Sequence, residues 1–273
     1  MQIIQIHPTF NCNRSCSWCA YGMRNQKKTE LPLEDLQHQL GYAMQTGCRI
    51  VKISGGGEPT IYSDFIPLLY VARWLGFTIY LQTNGIVLDK QMRILCDDIR
   101  ISFGDGIPFE IPKIQPDGFS YIVSQNPDYD NMNAVIEYVL ENSCYVRITQ
   151  DDTDLDNIPS IEEIQAHSMV AVRLIKGGTT ELSRLEPKVS AGVAVSNFPI
   201  DAVRFWDAKD FHTGINPCPC HQLPLFGADG FWYPCCKTHV AKELTQGYNK
   251  SMRLGTEYPE VPYDGSTCRR CYY

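Results

Sequence analysis

Short β-rich runs alternate with helical patterns through the first 150 or so residues, an order that fits a sheet of parallel strands with helices packed outside it. The runs are "IIQIH", "RIVKIS", "FTIYLQT", "DIRISF", "FSYIVS" and "CYVRIT". After the first, Leu33, Leu36, Leu40, Ala43 and Met44 mark one face of a helix that Gly47 can end. Asp64 stands where it can cap the helix "FIPLLYVARWLG", and the third strand leads into a turn at Asn84-Gly85. Met132, Val135, Ile136, Val139 and Leu140 recur at the spacing of a further helix face. A closed eight-strand barrel usually takes about 250 residues. Six strands in this length therefore predict an α/β fold built on a partial (β/α)6 barrel.

The acidic segment "QDDTDLDNIP" reads as a boundary, beyond which "GVAVSN" and "AVRFWDAKDF" suggest strands and the last third holds six of the twelve cysteines. The expected division is a core over 1–155, a connecting region over 156–210 and a small cysteine-rich, β-containing module over 211–273. A chain of 273 residues that is 44% hydrophobic can bury its own core without disulfide staples. It has no apolar run of about 20 residues, and "MQIIQIHPTFNC" lacks a secretory pattern. Both absences point to a cytoplasmic protein with reduced thiols and no membrane partner. The net charge of −7, with no Lys/Arg run longer than a pair such as Lys27-Lys28, argues against a nucleic-acid partner.

Cys12, Cys16 and Cys19 form CxxxCxxC directly after the first strand. With twelve cysteines in 273 residues, composition alone would give such a triplet roughly 0.02 times per chain. Thiolates at this spacing can converge on one soft-metal centre, either zinc completed by His7 or a distant cysteine, or an iron-sulfur cluster. A cubane held by three cysteines keeps one iron without a protein ligand, so that iron can bind a small molecule.

With Trp18 just before its last cysteine, the motif resembles that of the radical S-adenosylmethionine (radical SAM) superfamily. The resemblance implies an enzyme with a 4Fe-4S cluster whose open iron binds S-adenosylmethionine and which cleaves it to methionine and a 5'-deoxyadenosyl radical. A second match lies about 36 residues after Cys19, where "KISGGGEPT" ends the second strand. Its Gly55, Gly56, Gly57 and Glu58 are similar to the superfamily's Gly-Gly-Glu motif, which receives the cofactor's amino group. The chemistry is reasonable in itself: glycines admit a cationic amine to backbone carbonyls, and a carboxylate adds charge-assisted bonding. By the same resemblance Asn84 in "QTNG" and Ser102 in "RISFGDG" are further cofactor contacts. Arg147 shares a strand face with Tyr145 and Thr149 and offers a basic group toward the barrel mouth. The chain departs from the pattern at "GIPFEIPKIQPDG", where prolines oppose an expected helix.

A second constellation follows in "CPCHQLPLFGADGFWYPCC" and the terminal "CRRC". Cys220, Gly230 and Cys235 match the CxnGx4C hairpin of twitch and SPASM extensions, with Cys268 and Cys271 closing a four-thiolate set for an auxiliary 4Fe-4S cluster. Cys218 and Cys236 are alternative ligands, and a structural zinc is the competing occupant. "ADG" supplies the turn between the hairpin strands. Cys48, Cys96 and Cys144 read as small buried hydrophobes.

The resemblance implies hydrogen abstraction from a substrate, with a low-potential donor such as flavodoxin or ferredoxin as partner. Oxidation or cross-linking of a peptide or protein side chain is the expected outcome, with modification of a small polar metabolite or nucleotide as the alternative. A non-catalytic iron-sulfur or zinc metalloprotein is the alternative from another class.

Overall fold

The computed structural model of the protein describes residues 2–16, 19, 29–104, 106–123, 128–142, 144–151, 170–175, 194–195, 224–233 and 253–259. Two compact units are present, residues 1–99 with 217–271 and residues 100–216 with 272–273.

In the first unit β1 (Gln2–Ile6), β2 (Cys48–Ile53) and β3 (Thr78–Thr83) run parallel, with Gln5 opposite Lys52 and Lys52 opposite Tyr80. Helix α1 (Leu33–Gln45) connects β1 to β2, and α2 (Phe65–Trp74) connects β2 to β3. Alternation decides what the sheet buries. Ile4, Ile6, Val51, Ile53, Ile79 and Leu81 form one core with Leu36, Leu40 and Ala43 of α1 and Leu68, Leu69 and Ala72 of α2. Burial of each large aliphatic side chain there contributes about 1.5–3 kcal/mol.

Two helix ends differ in how they are made. Gly47 follows the end of α1, and its N–H bonds to the Met44 carbonyl at 3.1 Å. Asp64 stands at the N-cap of α2 as expected, but its side chain makes no capping bond. Only its backbone carbonyl is engaged, by the Leu68 N–H at 2.9 Å. A short helix, α3 (Lys90–Leu95), then intervenes where the sequence reading has only a turn. Its six residues are too few to show a period. The local signal is Asp89, whose side chain accepts from the Met92 N–H at 2.8 Å.

The second unit takes up β4 (Asp98–Gly104) from Arg100 onward, followed by β5 (Gly118–Val123), α4 (Tyr129–Asn142), β6 (Tyr145–Asp151), β7 (Val170–Ile175) and the two-residue β8 (Ala194–Val195). All neighbouring pairs from β4 to β8 are parallel. Phe103, Phe119, Tyr121, Met132, Val135 and Val139 are buried. The proline-bearing segment after β4 has no helix over its described residues 106–117. Instead Asn131 holds it, accepting from the Phe109 N–H at 2.6 Å and donating to the Ile107 carbonyl at 2.8 Å. Strand β7 is absent from the sequence reading because "VAVRLI" is a nearly continuous apolar run, which periodicity alone does not assign.

Two further short strands, β9 (Leu225–Phe226) and β10 (Trp232–Tyr233), form an antiparallel hairpin in the first unit. Gly230 turns it at φ +79°, a backbone region that L side chains avoid, so the expected "ADG" turn is formed. Strand β9 pairs parallel to β1, with Gln5 opposite Leu225 and Ile6 opposite Phe226. Trp232 is fully buried in the core of β1–β3. Its indole N–H donates to Gln39 Oε1 at 2.8 Å, and Gln39 Nε2 donates to the Thr256 carbonyl at 2.9 Å.

Cys48, Cys96 and Cys144 are buried, as expected. No helix among the described residues is long and apolar enough to cross a membrane.

Candidate functional site

Three loops meet at the C-terminal ends of β1, β2 and β3, where parallel α/β architectures place their chemistry. The first carries the cysteines, the second is the Gly55–Glu58 turn and the third begins at Thr83.

Backbone bonds join the first two: Gly57 N–H donates to the Thr9 carbonyl at 2.8 Å, and Glu58 N–H to the Asn11 carbonyl at 2.7 Å. The approach is too close for any side chain. A Cβ on Gly57 would lie 1.9 Å from the Asn11 oxygen, and one on Gly55 would lie 1.8 Å from the Gly57 oxygen. Gly57 is thus required by the contact of the turn with the cysteine loop, and Gly55 by the tight fold of the turn itself.

Glu58 is buried, and its carboxylate accepts four hydrogen bonds. Oε1 takes the Thr60 N–H at 3.1 Å, the Thr60 hydroxyl at 2.6 Å and the Thr83 hydroxyl at 2.5 Å, while Oε2 takes the Asn84 N–H at 2.7 Å. Burial pushes this carboxyl above its usual range, with the bonds from Thr60, Thr83 and Asn84 opposing the shift. Glu58 is therefore a latch between the second and third loops. Thr60 and Thr83, which complete the latch, carry no motif by which sequence reasoning finds them.

Asn84 continues the connection. Its Oδ1 accepts from the Ile86 N–H at 3.0 Å, making the expected turn, and its Nδ2 donates to Asn13 Oδ1 at 2.6 Å. Asn13 lies one residue beyond Cys12, so the third loop is tied to the cysteine segment itself.

Cys12, Cys16 and Cys19 are partly exposed thiols. Burial raises the Cys12 thiol above its ordinary value, the Arg14 N–H on its sulfur at 3.4 Å lowers it, and Glu58 and Cys19 raise it further. Cys16 is raised by burial and by its neighbours Cys19 and Cys12, with Arg14 opposing. The three sulfurs are thus electrostatic neighbours. Among the described residues no three His, Cys, Asp or Glu side chains converge on a single ion. A cubane presents its irons at separate corners, so its thiolates need not meet at a point. His7 is fully buried, and its Nε2 accepts from Gln5 Nε2 at 2.8 Å. The donor set of three thiols in one loop, beside a glycine cradle, fits an iron-sulfur cluster.

Ser102 and Arg147 lie in the second unit. Ser102 is in register with Ser120, and Ser120 with Arg147, so the three make one row across β4, β5 and β6. Trp18, Cys218, Cys220, Cys235, Cys236, Cys268 and Cys271 lie outside the described residues.

Residues 6–104, which span all three loops, match the radical SAM superfamily. The part of the chain that carries the three loops is thus similar to a radical SAM domain. In sequence it is 25% identical over 144 residues to a probable GTP 3',8-cyclase of Thermococcus kodakarensis, a match covering 52% of this chain and 44% of that protein. The chain matches less than half the length of its curated relatives. In structure it is similar to Streptococcus suis SuiB, solved with S-adenosylmethionine, at a TM-score of 0.52 and 16% identity over 92% of this chain and 66% of that one. SuiB has also been solved with the precursor peptide SuiA. It is likewise similar to anSMEcpe, solved with AdoMet and the Cp18Cys peptide, at a TM-score of 0.51 and 14% identity over 93% and 76%. These likenesses support the fold expected from the sequence, the α/β partial-barrel core of radical SAM enzymes.

Proposed function

We propose that the protein is a radical SAM enzyme that uses S-adenosylmethionine to abstract hydrogen from a peptide or protein side chain, oxidising or cross-linking it. The observation that carries the reading is the convergence of the Cys12–Cys19 segment, the Gly55–Glu58 turn and Asn84 at one end of β1–β3.

Cys12, Cys16 and Cys19 would hold a 4Fe-4S cluster, and Cys220, Cys235, Cys268 and Cys271 an auxiliary one, with Cys218 or Cys236 as substitutes. When bound, the first cluster supplies the electron that cleaves S-adenosylmethionine to methionine and a 5'-deoxyadenosyl radical. The rest of the work belongs to the chain. Gly55, Gly56 and Gly57 offer backbone carbonyls to the cofactor's amine. Glu58 fixes the turn while adding negative charge beside it. Asn84 and Ser102, with Trp18 and Arg147, are the further cofactor contacts.

Peptides bound to SuiB and anSMEcpe support the substrate class. The match to a probable GTP 3',8-cyclase favours a second reading, a nucleotide or other small polar substrate. Anaerobically reconstituted protein given dithionite and S-adenosylmethionine is expected to release 5'-deoxyadenosine and to contain about eight irons per chain. Zinc without sulfide, and no nucleoside product, would instead establish a non-catalytic metalloprotein. Consumption of GTP under the same conditions would select the second reading.

A further inference from the structure

We infer that Glu30 is a positioning residue that clasps the neck of the cysteine loop and sets Cys12 against the Gly55–Glu58 turn. The inference rests on the cluster reading above but assigns a role to a residue outside every motif.

Thr9 and Glu30 face each other as an isolated antiparallel bridge, flanked by Phe10 N–H on the Thr29 carbonyl at 2.8 Å and Leu31 N–H on the Pro8 carbonyl at 2.9 Å. These bonds close the loop that carries Cys12, Cys16 and Cys19. The Glu30 carboxylate then reaches in two directions. Oε1 accepts from Asn11 Nδ2 at 2.8 Å and, more weakly, from the Thr9 hydroxyl at 3.5 Å. Oε2 accepts from the Ser63 hydroxyl at 2.7 Å and the Ser63 N–H at 3.3 Å.

Asn11 is the residue just before Cys12, and it is held from both sides. Glu30 holds its side chain, Glu58 N–H bonds to its carbonyl at 2.7 Å, and the Thr9 hydroxyl accepts from its N–H at 2.8 Å. Ser63 stands between the turn at Pro59–Ile61 and α2, on the segment that leaves the Gly-Gly-Glu motif. One carboxylate thus joins the entry and exit of the cysteine loop to the segment after the glycine turn. Burial raises the Glu30 carboxyl, but the bonds from Ser63, Asn11 and Thr9 outweigh it and hold the group below its ordinary value, as expected of an ionised acceptor.

Among the described residues Glu30 belongs to no hydrophobic cluster around β1–β3 or the β9–β10 hairpin, so its loss should act mainly on the loop. The test compares reconstituted holoenzyme with Glu30→Ala and Glu30→Gln, reading iron release to a chelator, the change in the electron paramagnetic resonance spectrum of the reduced cluster on adding S-adenosylmethionine, and the urea midpoint. Alanine is expected to release iron about tenfold faster, in the range seen when outer partners of metal ligands are lost, and to alter the cofactor-induced spectral change, with only a small drop in the urea midpoint. Glutamine keeps one acceptor oxygen and should fall between alanine and wild type. It also carries the test should the alanine protein fail to fold. Wild-type rates and spectra in both variants overturn the role, as does a lowered urea midpoint with unchanged iron release. A wild-type protein that binds no cluster removes the cluster reading itself, an outcome separate from these.

Discussion

Alanine at Cys12, Cys16 or Cys19 is expected to reduce 5'-deoxyadenosine release to background and to lower iron content and visible iron-sulfur absorption by about half, while the urea midpoint barely moves. The three thiols are partly exposed and lie outside the hydrophobic clusters of the described residues, so truncating them leaves no cavity of consequence. Cys48, Cys96 and Cys144 are the internal controls. They are buried, and alanine at each should cost about 1 kcal/mol of stability for one lost sulfur's worth of packing. These proteins should still hold the cluster at Cys12–Cys19 and release the nucleoside. An active Cys16→Ala protein, or a Cys48→Ala protein without its cluster, would show that the thiols have been assigned to the wrong tasks.

Trp232→Ala should have the largest effect on folding, about 3–5 kcal/mol. Trp232 lies fully buried with Phe226 and Tyr258, whose rings stand 5.0 and 4.8 Å away between centroids. Its removal opens a cavity and leaves Gln39 Oε1, now paired to the indole N–H at 2.8 Å, without that donor. Trp232→Phe keeps much of the apolar volume but loses the donor, and should cost about 1–3 kcal/mol. Urea unfolding of both variants checks the order. Equal stability of Trp232→Ala and wild type would mean that the β9–β10 hairpin is not part of the core of β1–β3.

What the sequence made legible was local. The hydrophobic stripes of α1 and α4 and the alternating runs of β1 to β6 depend on spacing within one element, and so do the CxxxCxxC and Gly-Gly-Gly-Glu segments. The turn at Gly230 was equally readable, because a positive φ is a demand on a single residue. Long-range partners were not legible. Glu58 reads as a group offered to a cofactor, yet its carboxylate is taken up by Thr60, Thr83 and Asn84, the last two about 25 residues on. Glu30 reads as one acidic residue before a helix, and its importance appears only when Asn11 and Ser63, 19 and 33 residues away, converge on it. The hairpin around "ADG" was legible, but the pairing of its strand β9 with β1 was not, because it joins positions 5 and 225.

The central claim is that three cysteines anchor a cluster whose remaining iron has no ligand from the chain and so takes S-adenosylmethionine. Electron-nuclear double resonance on the dithionite-reduced protein, with the cofactor's amino nitrogen labelled as nitrogen-15, measures this directly. A nitrogen-15 coupling to the cluster that disappears with unlabelled cofactor is the predicted result. No coupling in a protein with full iron occupancy and saturating cofactor would contradict the account.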